Sequence, residues 1–183
     1  MKILLTLIAL LVATTAQAQI TTVAHGGTGA STAAQARVNL NVPTQAVQTT
    51  DDTTSSLTLH NSATLTFAVG ASQTWAFDVY AYVTSSTATG DKLAVSVPTG
   101  STLVATAIET GSSAAVTNTE VLTTSATLGT SFVTASPLAG VVRIHGSVIT
   151  SSTAGNVTVG FAKVTSGTAT FKAGSCITYT RIK

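Results

Sequence analysis

In residues 73–84, QTWAFDVYAYVT, an apolar side chain occupies every second position from Trp75 to Val83. Period-two alternation predicts a β-strand, because successive side chains of a strand point to opposite faces of the sheet. The apolar set, expected in a core, is Trp75, Phe77, Val79, Ala81 and Val83. The other set, expected to face outward, is Ala76, Asp78, Tyr80, Tyr82 and Thr84. This strand therefore presents two tyrosines on the face opposite the core.

The same alternation recurs later in the chain. In residues 141–150, Val142, Ile144 and Val148 fall on one side, and Arg143 and His145 fall on the other. Turns rich in Gly, Ser and Thr separate such runs, as in sandwiches and barrels. We predict an all-β protein of roughly eight to ten antiparallel strands, a jelly-roll-like β-sandwich over residues 56–183. Residues 111–136 are too uniform in Ser, Thr and Ala to assign.

The amino-acid composition limits the classes of function that this protein can have. Charged residues make up only 8% of the chain, against about 25% in typical soluble domains. The chain instead contains 38 Thr and 19 Ser residues, and β-branched Thr favours strands. Lys and Arg are scattered singly, so no basic footprint for nucleic acid is present in the sequence. The single cysteine, Cys176, excludes an internal disulfide and is expected to be a buried strand residue.

Residues 1–18, MKILLTLIALLVATTAQA, have the order of a secretory signal peptide. Lys2 precedes an apolar run from Ile3 to Ala13, and an A-x-A site ends at Ala18. The run is shorter than the ~20 residues that span a bilayer. We expect cleavage and export, with no membrane span in the mature chain; an uncleaved anchor is the alternative.

A short helix is predicted after this leader. Thr32 followed by Gln35 is a capping-box pattern, so the helix should begin at Ala33 and run to about Leu40. Asn41 suits the left-handed residue that ends a helix. The polar stretch from there to residue 55 lacks periodicity and is predicted to be a linker. Residues 19–55 are thus expected to hold a glycine-rich collar, this helix and the linker.

The glycine cluster before the helix has two possible roles, which are binding of a nucleotide phosphate and close contact between identical chains. A phosphate-binding loop needs a lysine directly after its last glycine, and no lysine lies between Lys2 and Lys92. A dinucleotide site needs a βαβ unit, which the pattern lacks. We therefore expect no cofactor. We predict that the glycines either adopt positive φ or allow identical chains to approach each other closely. The predicted oligomer collar comprises Gly26, Gly27, Gly29, Ala33, Ala36 and Leu40.

Few side chains are available for chemistry. Three histidines and six acids show no metal-ligand spacing, so no metal site is expected. Ser147 and His145 share a face, with Asp78 expected on a neighbouring strand, but serine is too abundant for this to indicate catalysis. We expect no catalytic residue and no enzyme activity. The candidate ligand contacts are Tyr80, Tyr82, Arg143 and His145; burial in an oligomer is the alternative for the tyrosines.

Two parts of the chain resemble bacteriophage proteins. Residues 26–40, GGTGASTAAQARVNL, resemble the GGTGA-type segment of many tail-fibre and tail-associated proteins, although Asn41 replaces the glycine that usually follows. Residues 65–80, 142–164 and 174–182 are similar to a β-sandwich domain at the ends of phage minor structural proteins. The resemblance implies a trimeric, fibre- or knob-like virion component. A secretory leader is unusual on such a protein.

These observations predict a non-enzymatic virion structural protein, a tail-fibre or surface-attachment module. We expect a homotrimer whose partners are other virion proteins or a host-surface receptor, with carbohydrate as one candidate receptor. The leader predicts export, and hence a place on the virion surface or outside the cell. The alternative is a secreted bacterial surface adhesin or extracellular matrix protein built on the same sandwich.

Overall fold

The structure of the protein is a computed structural model that describes residues 27–87, 90–110, 116–123 and 139–183. For 116–123 and Ala139 it describes the backbone alone. The chain divides into two compact units, Met1–Leu40 and Asn41–Lys183. The predicted signal peptide and Gly26 lie outside the described residues. Within the described ranges, no helix has the length and apolar character needed to cross a membrane.

The first unit contains helix α1, Ala33–Asn39. Thr32 caps its start, since the Thr32 hydroxyl accepts a hydrogen bond from the Gln35 amide at 3.2 Å. The Gln35 side chain donates instead to Asn39 Oδ1 at 2.9 Å, so only half of the predicted capping box forms. Asn41 has φ +52°. The helix and its left-handed stop are therefore confirmed.

The described part of the second unit holds eleven strands. They are β1 (Thr44–Val47), β2 (Asp52–Thr54), β3 (His60–Val69), β4 (Thr74–Ser85), β5 (Asp91–Ser96), β6 (Thr102–Thr110), β7 (Val116–Thr123), β8 (Ala139–Ile149), β9 (Gly155–Lys163), β10 (Ala169–Phe171) and β11 (Cys176–Arg181). Strand β7 falls in the stretch that the sequence left unassigned.

The strands form two antiparallel sheets. The large sheet has the order β1-β11-β4-β8-β6-β7, and β10 joins it by pairing with β4 and β2. Strand β4 is long enough to pair with β11 near its start and with β10 near its end. The small sheet has the order β3-β9-β5. The predicted antiparallel sandwich is confirmed, with an eight-and-three division of strands instead of the two equal sheets of a jelly roll.

The core lies between the sheets, where the predicted apolar faces meet. Trp75, Phe77, Val79, Ala81 and Val83 of β4 are all buried, as the alternation predicts. Across the interface, Phe67 of β3 stacks on Tyr179 with ring centroids 4.4 Å apart. Phe161 of β9 packs on Phe171 at 4.0 Å. Each fully buried side chain of this size contributes about 1.5–3 kcal/mol, so this layer stabilises the face-to-face packing.

Two short strands, β1 and β2, lie within the stretch predicted to be a linker. Residues of β1 pair with β11 and residues of β2 pair with β10, so both belong to the sandwich. Gln48, between these two strands, is buried. Its backbone N–H donates to the Ser175 carbonyl at 2.8 Å, and its side-chain Nε2 donates to the Phe171 carbonyl at 3.1 Å. Strands of three or four residues contain too few positions to show alternation. The boundary between units lies at Leu40, not at residue 55.

Candidate functional site

The outer side of the large sheet brings three strands, β4, β8 and β6, side by side. We call this surface the β4–β8–β6 face. It carries Asp78, Tyr80 and Tyr82 from β4, Arg143, His145 and Ser147 from β8, and Val104, Thr106 and Ile108 from β6. His145 lies opposite both Asp78 and Thr106, while Arg143 lies opposite both Tyr80 and Ile108. Directly opposed residues have Cβ atoms about 4.5–5.5 Å apart, so these side chains form one continuous surface.

Its polar centre is a three-residue arrangement. His145 Nδ1 lies 2.8 Å from Asp78 Oδ1, and Arg143 Nη2 lies 3.7 Å from the same oxygen. The Arg143 guanidinium also stands over the Tyr80 ring, 5.1 Å from its centroid, in a cation–π contact. A carboxylate accepts hydrogen bonds, so His145 Nδ1 is the donor in this pair and Nε2 lies outside this contact. The expected proximity of Asp78 and His145 is confirmed.

Apolar side chains surround this centre and remain in solvent. The large exposed ones on this face are Tyr80, Tyr82, Val104, Ile108 and Ile149. A shallow depression of about 320 Å³ lies among Thr106, Ile108, Arg143 and His145. Contiguous exposed apolar surface rimmed by polar groups is typical of interaction sites. An open face of this kind suits an extended ligand or a macromolecular surface better than an enclosed small molecule.

The Asp78–His145 pair is also one half of a nucleophilic relay. Such a relay needs a hydroxyl or thiol within hydrogen-bond reach of the imidazole. Ser147 lies two residues along β8, yet among the described residues no hydroxyl forms a hydrogen bond with His145. In the same described ranges, no group of three or more His, Cys, Asp or Glu is placed to hold a metal. The contact with Asp78 fixes the orientation of the exposed His145 imidazole.

A second polar cluster lies where β2, β3 and the β10–β11 turn meet. Asp52 pairs with His60 at 2.9 Å, whereas Asp51 pairs with Lys172 and accepts from the Ala173 amide at 2.9 Å. The Lys172 ammonium, helped by that amide, lowers the pKa of Asp51 below its ordinary value. The two adjacent carboxylates therefore contact different segments of the chain, and this cluster links those segments.

The described collar residues lie in a small turn and helix. Gly29 has φ +66°, a conformation that favours glycine, and Asn39 Nδ2 closes the turn by donating to the Thr28 carbonyl at 2.8 Å. Gly27 and Ala36 are half-buried, Ala33 is exposed, and Leu40 is 51% exposed. No residue of α1 is fully buried. The apolar side of the helix is therefore accessible in the single chain.

All four predicted ligand contacts lie together on the β4–β8–β6 face. Sequence reasoning missed the β6 contribution, from Val104, Thr106 and Ile108. Alternation in residues 102–110 signals a strand, but nothing local says that this strand lies beside β8. Cys176 lies in a strand, as expected, but it is half-exposed and its Cα partner on β4 is Tyr80.

Comparisons with known proteins add little to this description. No protein-family model matches the chain, and no curated protein matches it. Among solved structures, a chain of the infectious bursal disease virus Gx strain aligns over 76% of this chain and 35% of its own length, at 11% identity and TM-score 0.20. The VP2 subviral particle of that virus aligns over 76% and 39%, at 12% identity and TM-score 0.18. The chain spans less than half of either neighbour, and likeness at these TM-scores carries no argument.

Proposed function

We propose that the protein is a non-enzymatic virion structural protein, a tail-fibre or surface-attachment module that binds through the β4–β8–β6 face. One observation carries this proposal: Tyr80, Tyr82, Arg143 and His145 come from two strands and are exposed together on one sheet face. The resemblance of residues 26–40 to tail-fibre segments supports the virion assignment. The scarcity of charge, which leaves solubility unprotected by repulsion, suits a protein held in an assembly.

The chemistry of the face supports attachment. Tyr80 is 40% exposed and has the Arg143 guanidinium over its ring, while Tyr82 is 45% exposed and offers an aromatic surface to a sugar ring or an apolar side chain. Arg143 donates, and His145 presents Nε2, at positions that the Asp78 carboxylate holds in place. The charge of Arg143 is countered by Asp78, so a polyanion such as nucleic acid is a poor match.

Trimerisation would strengthen overall binding when each single contact is weak. Once one of three linked faces is bound, the others meet their ligands at high effective concentration, and avidity can exceed a single affinity by about 10²–10⁴-fold. The accessible side of α1, with Ala33, Ala36 and Leu40, supplies small and apolar contacts for such an association. Partners of the assembled face would be a host-surface receptor, with carbohydrate as one candidate, or another virion protein.

Binding of the full-length, labelled protein to cells of the organism that carries the gene tests the face. We expect Tyr82→Ala and Arg143→Ala to reduce binding at least tenfold. Asn156→Ala, an exposed change on β9 of the opposite sheet, is the matched control and should bind like the wild type. Equal binding by all three variants would refute a role for this face.

Two further measurements test the virion and trimer assignments separately. Mass spectrometry of purified particles should detect the chain, and its absence would refute the virion proposal. Light scattering should give the mass of three chains. A monomer would remove the collar and the avidity argument, while leaving a single binding face to be tested on its own.

A secreted bacterial surface adhesin or extracellular matrix protein is the second candidate. The signal-peptide pattern of residues 1–18 favours it, because export is an ordinary property of adhesins. Detection of the chain in the extracellular matrix of virus-free cultures, with a mature N-terminus near Gln19 or Ile20, would support this candidate. Its absence from that matrix would count against it.

A further inference from the structure

Two acidic side chains from different sheets are buried at one end of the sandwich. Asp91 begins β5 of the small sheet and is 0% exposed, and Glu109 lies near the end of β6 of the large sheet and is 1% exposed. Carboxylates are almost never fully buried unless they are paired, because an ion loses its hydration in the interior. Neither residue belongs to the candidate binding face.

The surroundings of Asp91 disfavour its charge. Within the described residues, no hydrogen bond of normal geometry reaches either oxygen of Asp91, although the Ser85 hydroxyl lies close enough to favour the charged form. Burial raises the pKa of Asp91 to about 7; the nearby Ser85 hydroxyl of β4 opposes the rise, and the negative charge of Glu109 adds to it. Lys163, which faces Asp91 in the β5–β9 register, makes no ion pair with it in the described part of the chain.

Strand β5 is the element that can move most easily when Asp91 ionises. Among the described strands, it forms one edge of the small sheet and pairs only with β9. An edge strand separates by breaking one ladder of hydrogen bonds, whereas a central strand must break two, so displacement of an edge strand costs less. Water admitted beside β5 would solvate an ionised Asp91.

We propose that Asp91 is a proton-controlled contact between the two sheets, closed when its carboxyl is neutral and opened at the β5 end when it ionises. Burial of the neutral Asp91 carboxyl beside Glu109 costs little free energy. The ionised Asp91 carboxylate has lost its hydration and lies near the Glu109 charge, and both costs fall when the end of β5 separates and water enters. This device goes beyond the proposed attachment function and does not depend on it.

The sign of the pH dependence follows from the pKa of Asp91. That pKa is about 7 in the closed state and near the ordinary 3.8 once the residue is solvated. Closure is therefore strongest below about pH 4 and weakens roughly tenfold per pH unit until the pH reaches about 7, where the dependence levels off. Between pH 5 and pH 8 the opening constant should rise on the order of 100-fold.

Amide hydrogen exchange of the full chain at pH 5 and pH 8, corrected for intrinsic exchange rates, tests this proposal. We expect the β5 amides of the wild type to lose protection by that factor and those of β3 to change far less. Asp91→Asn should make β5 independent of pH, because an amide cannot ionise. Asp51→Asn, an exposed acid, is the matched control and should keep the wild-type response.

Three results would overturn the proposal. The first is equal β5 protection at both pH values, and the second is the same loss in Asp91→Asn. The third is recovery of protection at pH 8 on adding Ca²⁺, which would identify the two carboxyls as a cation site. If Asp91→Asn does not fold, NMR titration of the Asp91 carboxyl in the wild type decides the question, since a pKa near 4 would also refute it.

Discussion

Replacing Gly146 with alanine tests how closely β6 and β8 approach each other beneath the candidate face. Gly146 lies opposite Ala105 in the register of these strands. An added Cβ would lie 2.3 Å from the Ala105 Cβ and 2.6 Å from the Val104 carbonyl oxygen. Non-bonded carbon atoms are most stable at about 3.5–4.0 Å, so the two backbones must separate by more than about 1 Å.

The expected cost follows from that displacement. Overpacking of this kind costs about 1–3 kcal/mol, and the upper end applies here because backbone atoms, not a flexible side chain, must move. At about 2–4 °C per kcal/mol for a chain of this size, the melting temperature should fall by roughly 6–12 °C. The separation also moves Thr106 away from His145, so binding through the β4–β8–β6 face should weaken too.

Thermal unfolding followed by circular dichroism measures the effect. The matched control is Gly155→Ala in β9, where the added Cβ would lie 3.1 Å from Pro98 Cγ and a few tenths of an ångström of movement suffices. We expect this control to cost less than about 1 kcal/mol. A melting temperature for Gly146→Ala equal to that of Gly155→Ala would refute the close approach of β6 and β8.

Three further predictions concern the fold and the assembly. Gln48→Leu removes the side-chain hydrogen bonds to Phe171 and Ser62 (3.1 and 3.3 Å) and should lower the free energy of unfolding by about 2 kcal/mol; an unchanged urea midpoint would contradict this. Since the folded pKa of Asp91 lies above its unfolded value, the wild type should lose stability relative to Asp91→Asn between pH 4 and pH 8, by at most about 4 kcal/mol. Urea unfolding of both proteins at both pH values measures this difference, and an equal pH dependence of the two would contradict it. Gly27→Val should reduce the mass measured by light scattering while leaving the melting temperature unchanged, and an intact oligomer would argue against crowding at this glycine.

Much of the local structure is predictable from the sequence because its cause is local. Alternation in residues 73–84 places Trp75 and Phe77 inward and Tyr80 and Tyr82 outward, and the structure agrees, since side-chain direction in a strand has period two. Thr32 predicts the start of α1 for a similar reason: its hydroxyl reaches an amide three residues away. The all-β class and the membership of Arg143 and His145 in one strand face follow from the same short-range rules.

Only the tertiary structure decided which strands are neighbours. Asp78 and His145 lie 67 residues apart and meet because β4 pairs with β8, and Thr106 joins them because β6 pairs with the other edge of β8. The strands within the expected linker and the burial of Asp91 near Glu109 depend on such pairings too. Many antiparallel orders satisfy the same alternation; the choice among them rests on hydrogen bonds and packing between distant segments, and no short stretch of sequence contains that information.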